Sequence, residues 1–462
     1  MALIVKNGTV VTPDGVATTD ILCENGKIAA LGNIDQDRSD TVLDATGKFV
    51  LPGGIETHTH FDLEVMGMRT ADDFLSGSKA ALHGGTTTFL DFATQFRGET
   101  MKEGLANWHQ RAKDGVYTDY GFHMALTEWN EALSDEMSAM IEAGITSFKL
   151  YQAYKGSLMV DDGEMLRALQ RAAELGVTIG VHCENGDVID VLVEQARQRG
   201  DVTPEFHERC RPPQLEAEAV NRFITLAELA GARHYVVHLS TGTGLDQVRW
   251  MRQHGARTVI ETCPQYLFLD KACYERGDFY TKAGCVMSPP LRVAKDRQAL
   301  WQGLADGTID FVGTDHCSFK LYGQKDHGKD GFWNIPNGAP GVELRMNLLY
   351  SGGVASGLFS LNRLAELTSG NAARYFGLYP DKGAIEVDAD ADFCLIDPHA
   401  HWTVTHDMLH DRADYTPYEG QKMQGRISDV ILGGQIQIRD GEMIDDVPRG
   451  RYVKRGLPEY LD

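Results

Sequence analysis

Five short, apolar, β-branched runs in this chain each carry, at or near their C-terminal end, a side chain able to hold a metal ion. They are His58-Thr59-His60, Lys149 in Ser-Phe-Lys-Leu-Tyr, His182 in Ile-Gly-Val-His-Cys-Glu-Asn, His238 in Val-Val-His-Leu-Ser, and Asp315 in Val-Gly-Thr-Asp-His. In a strand, residues two apart point to the same side, so an H-x-H pair aims two imidazoles at one ion without bending the backbone. Few folds bring the same ends of so many strands to one point. A (β/α)8 barrel does, because the C-terminal ends of all its strands line one mouth. A doubly wound open sheet is disfavoured: no G-x-G-x-x-G follows the first strand, and strand ends spread along an open sheet do not converge.

The rest of the chain carries the alternation that a barrel needs. Within 53–379, strand-like segments at 54–61, 87–93, 120–126, 146–153, 177–184, 234–240, 258–266 and 310–316 are separated by helical stretches. Those helices are read at 71–82, 101–113, 134–142, 163–174, 215–230, 244–254 and 295–305. Glycine closes several of them, as in Glu142-Ala-Gly144 and Glu174-Leu-Gly176. The two ends, 1–52 and 380–462, have another texture: short alternating runs broken at Pro13-Asp14-Gly15, Asn25-Gly26, Gly433-Gly434 and Asp440-Gly441. Asn-Gly between alternating runs is a hairpin signal. Neither end has enough strands for a sandwich alone. The expected fold is therefore α/β: a (β/α)8 TIM-like catalytic barrel at 53–379, with a discontinuous small β-sandwich domain built from both termini.

Bulk properties narrow the function classes. A formal charge of −22 works against nucleic acid and anionic lipid. No apolar run approaches the roughly 18 residues that span a bilayer. Eight cysteines form no C-x-x-C pair, and Met-Ala-Leu-Ile-Val-Lys-Asn-Gly is no signal peptide, so a cytoplasmic setting is expected.

His58, His60, His182 and His238 supply neutral nitrogen ligands suited to Zn²⁺ or a similar divalent ion, and Asp315 adds a carboxylate. Lys149 does not fit as an ammonium. It fits once its amine has reacted with CO₂, because the resulting carbamate is a bidentate anion able to bridge two metals. Two ions about 3.5–4 Å apart can hold a hydroxide between them and polarise a carbonyl. Asp315, beside that hydroxide, is placed to take its proton and pass it to a departing nitrogen.

Over essentially its whole length the chain resembles the dihydropyrimidinase and D-hydantoinase group of cyclic amidohydrolases, in the amidohydrolase superfamily. The resemblance is carried by Ile4-Val-Lys-Asn-Gly-Thr-Val-Val11, Pro52-Gly-Gly-Ile-Glu-Thr-His-Thr-His60 and Ser147-Phe-Lys-Leu-Tyr-Gln-Ala-Tyr154. It continues in Glu261-Thr-Cys-Pro-Gln-Tyr266, Ser288-Pro-Pro-Leu-Arg292, Gly313-Thr-Asp-His316 and Ile335-Pro-Asn-Gly-Ala-Pro-Gly-Val-Glu343. The histidine pair and Gly-Thr-Asp-His are shared across the superfamily, whereas Ser-Pro-Pro-Leu-Arg and Pro-Asn-Gly-x-Pro-Gly-Val-Glu are much more specific.

The resemblance implies two divalent ions, His58, His60 and Asp315 holding one and His182 and His238 the other, bridged by N6-carboxylysine at Lys149 and a hydroxide. It implies that Tyr154 donates to the developing oxyanion, and that Ser288 and Asn337 read the amide edge of the substrate ring, largely through backbone groups. The implied reaction opens a dihydropyrimidine or a 5-substituted hydantoin to the N-carbamoyl amino acid. A homo-oligomer, tetramer or dimer, is implied too, and the 449–462 tail is expected to reach a neighbouring subunit.

Related activities are set aside on particular residues. Dihydroorotases resemble this chain but place an arginine two positions after the histidine pair, where Asp62 stands here. An allantoinase-type ureide hydrolase remains as an alternative, although Gln265 and the Pro-Asn-Gly motif fit the hydantoinase group better. A non-enzymatic scaffold of the same fold is disfavoured because every ligand position is filled. A one-metal deaminase on the same barrel needs no lysine on the fourth strand. Loops near 61–68, 93–96 and 151–159 are expected to face the ring substituent, and Tyr151 with Glu64 favours polar or cationic substituents. The glycine-rich segment 320–333 reads as a flap or a long surface loop.

Overall fold

The structure is a computed structural model that describes residues 2–39 and 41–461. Strands β1 (Gly54–Thr59), β2 (Thr86–Gln95), β3 (Asp119–Leu126), β4 (Ser147–Tyr151), β5 (Thr178–His182), β6 (Arg233–Val236), β7 (Val259–Thr262) and β8 (Phe311–Val312) lie in that order in one parallel sheet. β1 and β2 are buried at every position, as expected of parallel strands covered on both faces. Several helices between strands start on side-chain caps. Thr100 with Glu103, and Asp161 with Glu164, form reciprocal capping boxes. Gly176 closes helix Asp162–Leu175 at φ 71°, a left-handed corner that favours glycine.

Closure of the barrel depends on side chains. Among the described residues, β1 and the segment after β8 are joined by one bridge, Thr59 to His316, where His60 N donates to His316 O at 2.9 Å. Nearby, Glu56 Oε1 accepts from Thr314 N at 2.8 Å and His58 N at 2.9 Å. Its other oxygen lies 3.2 Å from Arg345 Nε. Arg345 Nη1 in turn donates to Ile55 O and Val312 O, both at 2.9 Å. This buried ion pair stands in for ladder bonds at the joint between the strands that carry His58 and Asp315. Removing one partner of such a pair typically costs about 3–5 kcal/mol.

Both termini enter a single nine-stranded sheet, in which Phe49–Pro52 pairs with Phe393–Thr403. Leu3, Val5, Ile28, Phe393, Leu395 and Ile431 share one apolar core, so neither end is complete alone. The Asn25-Gly26 turn has φ of 55° and 81° and joins Gly15–Glu24 to Lys27–Gly32, as its sequence predicts. Lys382 links this sheet to the barrel, its Nζ within 3.1 Å of Asp119, Asp390 and Asp392.

One strand boundary differs from its sequence expectation. The strand read at 258–266 ends at Thr262, because Pro264 starts helix Pro264–Phe268. The 449–462 tail, as far as it is described, lies across its own barrel. Val453 N donates to Tyr120 O, Arg455 N donates to Gly144 O, and the Arg455 side chain is buried. Segment 320–333 is a surface loop of 3-10 turns, in keeping with the loop reading, and it is anchored inward: Lys325 is fully buried, and Phe332 N donates to Val202 O at 2.8 Å. Among the described residues, no helix is long and apolar enough to cross a membrane.

Candidate active site

The metal-type side chains sit on, or up to three residues beyond, the C-terminal ends of β1, β4, β5, β6 and β8, and they meet at one mouth. His58 Nε2 and His60 Nε2 each lie 3.2 Å from Asp315 Oδ1. Lys149 Nζ lies 2.8 Å from His58 Nε2. His182 Nδ1 and His238 Nε2 are 3.0 Å apart. One ligand-type atom from each of His58, His238 and Asp315 falls within 4.8 Å of the other two. His60, Lys149, His182, His238 and Asp315 line a single cavity, and His58 is fully buried against Lys149 and Asp315.

Burial sets the chemistry of these groups. Desolvation pushes His58 and His238 far below the ordinary imidazole range and lowers His182, which leaves nitrogen lone pairs free for a cation. Burial also pushes the Lys149 amine down to about 8, so its neutral, nucleophilic form is accessible. Burial acts to raise Asp315, but the imidazoles of His58, His60 and His238 outweigh it and keep the carboxylate ionised. Converging imidazoles, one carboxylate and one depressed lysine fit a divalent metal centre.

Two carboxylates outside the six ligand-type residues hold the far side of this set. Glu261 Oε1 is 2.6 Å from His58 Nδ1 and accepts from His238 N at 3.1 Å, so one group steadies residues on β1 and after β6. Glu184 Oε2 is 2.9 Å from His182 Nε2 and 2.7 Å from Arg211 Nη1. Such partners select the tautomer and orientation of a ligating histidine. Glu184 is two residues past His182, a spacing that strand periodicity marks in advance. Glu261 opens a recognised motif, whereas Arg211 has no local signal.

Tyr154, His238 and Asp315 adopt φ of 69°, 37° and 52°. Left-handed backbone at non-glycine residues costs of order 1–3 kcal/mol each and gathers at functional sites. Burial raises the Tyr154 hydroxyl far above its usual value, so it remains a proton donor.

Ser288 and Asn337 line the same cavity, whose volume is about 850 Å³. Gly338 follows Asn337 at φ 141°, and a Cβ there would lie 2.3 Å from Cys317 O, so only glycine lets this loop reach the mouth. The outer wall includes Leu63, Val65, Met66, Phe96, Tyr151 and Leu158. Glu64, Asp190, Arg97 and Arg197 also line the cavity.

The Amidohydrolase family sequence profile matches residues 49–437, the whole barrel included. The chain belongs to that family. It is 42% identical over 457 residues to a D-hydantoinase of Geobacillus stearothermophilus, covering 98% of this chain and 97% of the relative. It is 42% identical to a D-phenylhydantoinase of Escherichia coli, covering 98% of each. Among solved structures, the dihydropyrimidinase of Brevibacillus agri superposes with a TM-score of 0.97 at 41% identity, covering 99% of this chain and 100% of that one. Within the family, it falls in the hydantoinase and dihydropyrimidinase branch of cyclic amide hydrolases.

Proposed function

We propose that this enzyme opens a dihydropyrimidine or 5-substituted hydantoin ring to the N-carbamoyl amino acid. The observation that carries the reading is the meeting of His58, His60, Lys149, His182, His238 and Asp315 at one mouth. His58, His60 and Asp315 would hold one divalent ion, zinc or one like it, and His182 and His238 the other, with Lys149 as its N6-carboxylated form between them. When bound, the two ions supply an activated water and polarise the substrate carbonyl.

The chain's own groups do the rest. Asp315 accepts the proton released as the water oxygen bonds to the carbonyl carbon. It returns that proton to the ring nitrogen as the C–N bond breaks. The protonated Tyr154 hydroxyl donates to the oxygen on which negative charge builds. The loops bearing Ser288 and Asn337 grip the amide edge of the ring. Tyr154→Phe is expected to lower kcat by about 10²–10³, the usual loss for one such donor, with a smaller change in KM. An unchanged kcat would remove Tyr154 from this role.

The substituent is expected to be apolar. Leu63, Val65, Met66, Phe96 and Leu158 line the cavity and outnumber the acidic side chains there. This reverses the preference that Tyr151 and Glu64 suggest in the sequence. Rates on dihydrouracil, hydantoin, phenylhydantoin, an aminoalkyl hydantoin and allantoin, at defined metal loading, test both points. Ring opening with phenylhydantoin ahead of the aminoalkyl compound is expected. Turnover of allantoin alone would contradict the proposed reaction.

Eight unpaired thiols support work in a reducing cytoplasm. A homo-oligomer, dimer or tetramer, is proposed on the family resemblance alone.

A further inference from the structure

Lys325 is fully buried, and among the described residues no carboxylate lies within ion-pair distance of it. Its Nζ donates to Val286 O at 2.9 Å and to Pro336 O at 3.0 Å. Those carbonyls stand two residues before Ser288 and one before Asn337. Gly338 N also donates to Val286 O, at 3.1 Å, so the two loops are tied together beside the tips that line the cavity. The same 320–333 segment is anchored by Gln324, whose side chain donates to Arg69 O at 2.6 Å, and it gives Phe332 and Trp333 to the cavity wall.

A solitary buried lysine is unfavourable: burial pushes its amine down to about 7. An apolar side chain of equal length would fill the space without that cost. What lysine adds is a pair of donors whose acceptors belong to two different loops.

We propose that Lys325 is a positioning residue that sets the spacing of the two ring-reading loops, and thereby the affinity for a cyclic amide rather than the rate of its opening. This rests on the reading of Ser288 and Asn337 given above. Lys325 touches neither substrate nor metal in this account. It acts only through the backbone of Val286 and Pro336.

The test compares zinc-loaded wild type with Lys325→Met, which keeps the length and removes the donors. Steady-state kinetics on hydantoin and dihydrouracil are read beside metal content and thermal midpoint. KM is expected to rise about tenfold, with kcat within about threefold of wild type and metal content unchanged. A merely structural lysine would lower the thermal midpoint or metal content without this KM–kcat split. Unchanged KM would overturn the proposal, and so would a fall in kcat that tracks loss of metal. If Lys325→Met is insoluble, Lys325→Gln, shorter but still a donor, takes its place, with a smaller rise in KM expected. Insolubility of both would assign the lysine to folding and overturn the proposal equally. A wild-type enzyme that opens no cyclic amide would contradict the proposed function itself, before either variant is read.

Discussion

Lys149→Ala will strip the protein of its paired metal ions and of measurable ring opening, and short carboxylic acids will restore part of both. Lys149 Nζ is 2.8 Å from His58 Nε2 and 4.1 Å from the centre of the Phe92 ring, in a site with little access to water. An ammonium there would repel the cations that the surrounding imidazoles are arranged to hold. A carbamate would supply the bridging anion, and burial leaves the amine neutral often enough to capture CO₂. Alanine leaves a void with the shape of the lost chain, into which acetate or propionate can carry a carboxylate. Elemental analysis and hydantoin turnover, with and without the acids, check this. A fully active, metal-replete alanine variant would show that nothing at position 149 bridges the ions.

The second large effect is at Asp315. Asp315→Asn keeps the side chain's shape and removes its basicity, so proton transfer from water to departing nitrogen loses its carrier. Turnover should fall by about 10²–10⁴, the usual contribution of general acid–base catalysis. Substrate binding should be largely kept, because Ser288, Asn337 and the apolar wall are untouched. With chemistry that slow, KM approaches the dissociation constant, so both parameters come from one experiment. A loss confined to KM would place Asp315 in binding instead.

The ligand-bearing strands were legible because their chemistry is local. His58 and His60 share a strand face by spacing alone, and each later ligand type closes its own apolar run. Glu184 was equally legible by that spacing. Other groups were not, because their partners are distant in sequence and are often backbone. Arg345 braces carbonyls of Ile55 and Val312, and Lys325 braces those of Val286 and Pro336. No periodicity announces a side chain whose partner is a remote peptide oxygen.

The same limit explains the misread elements. Helix Gly186–Arg199 carries an Asn185 cap and a Gly200 stop, but Val188, Ile189, Val191, Leu192 and Val193 crowd together and blur its apolar stripe. After residue 340, short helical turns around Gly352, Gly353 and Gly370 lack the length that makes periodicity visible. The 449–462 tail has no pattern of its own, and its place is set by edges it finds on β3 and beside Gly144.

The most direct test is a diffraction map of crystals grown with zinc and bicarbonate. The expected map shows Lys149 carboxylated on Nζ, its carbamate oxygens beside two zinc ions, one near His58, His60 and Asp315 and the other near His182 and His238. An unmodified amine at Lys149, with no paired ions at the mouth of the barrel, would contradict it.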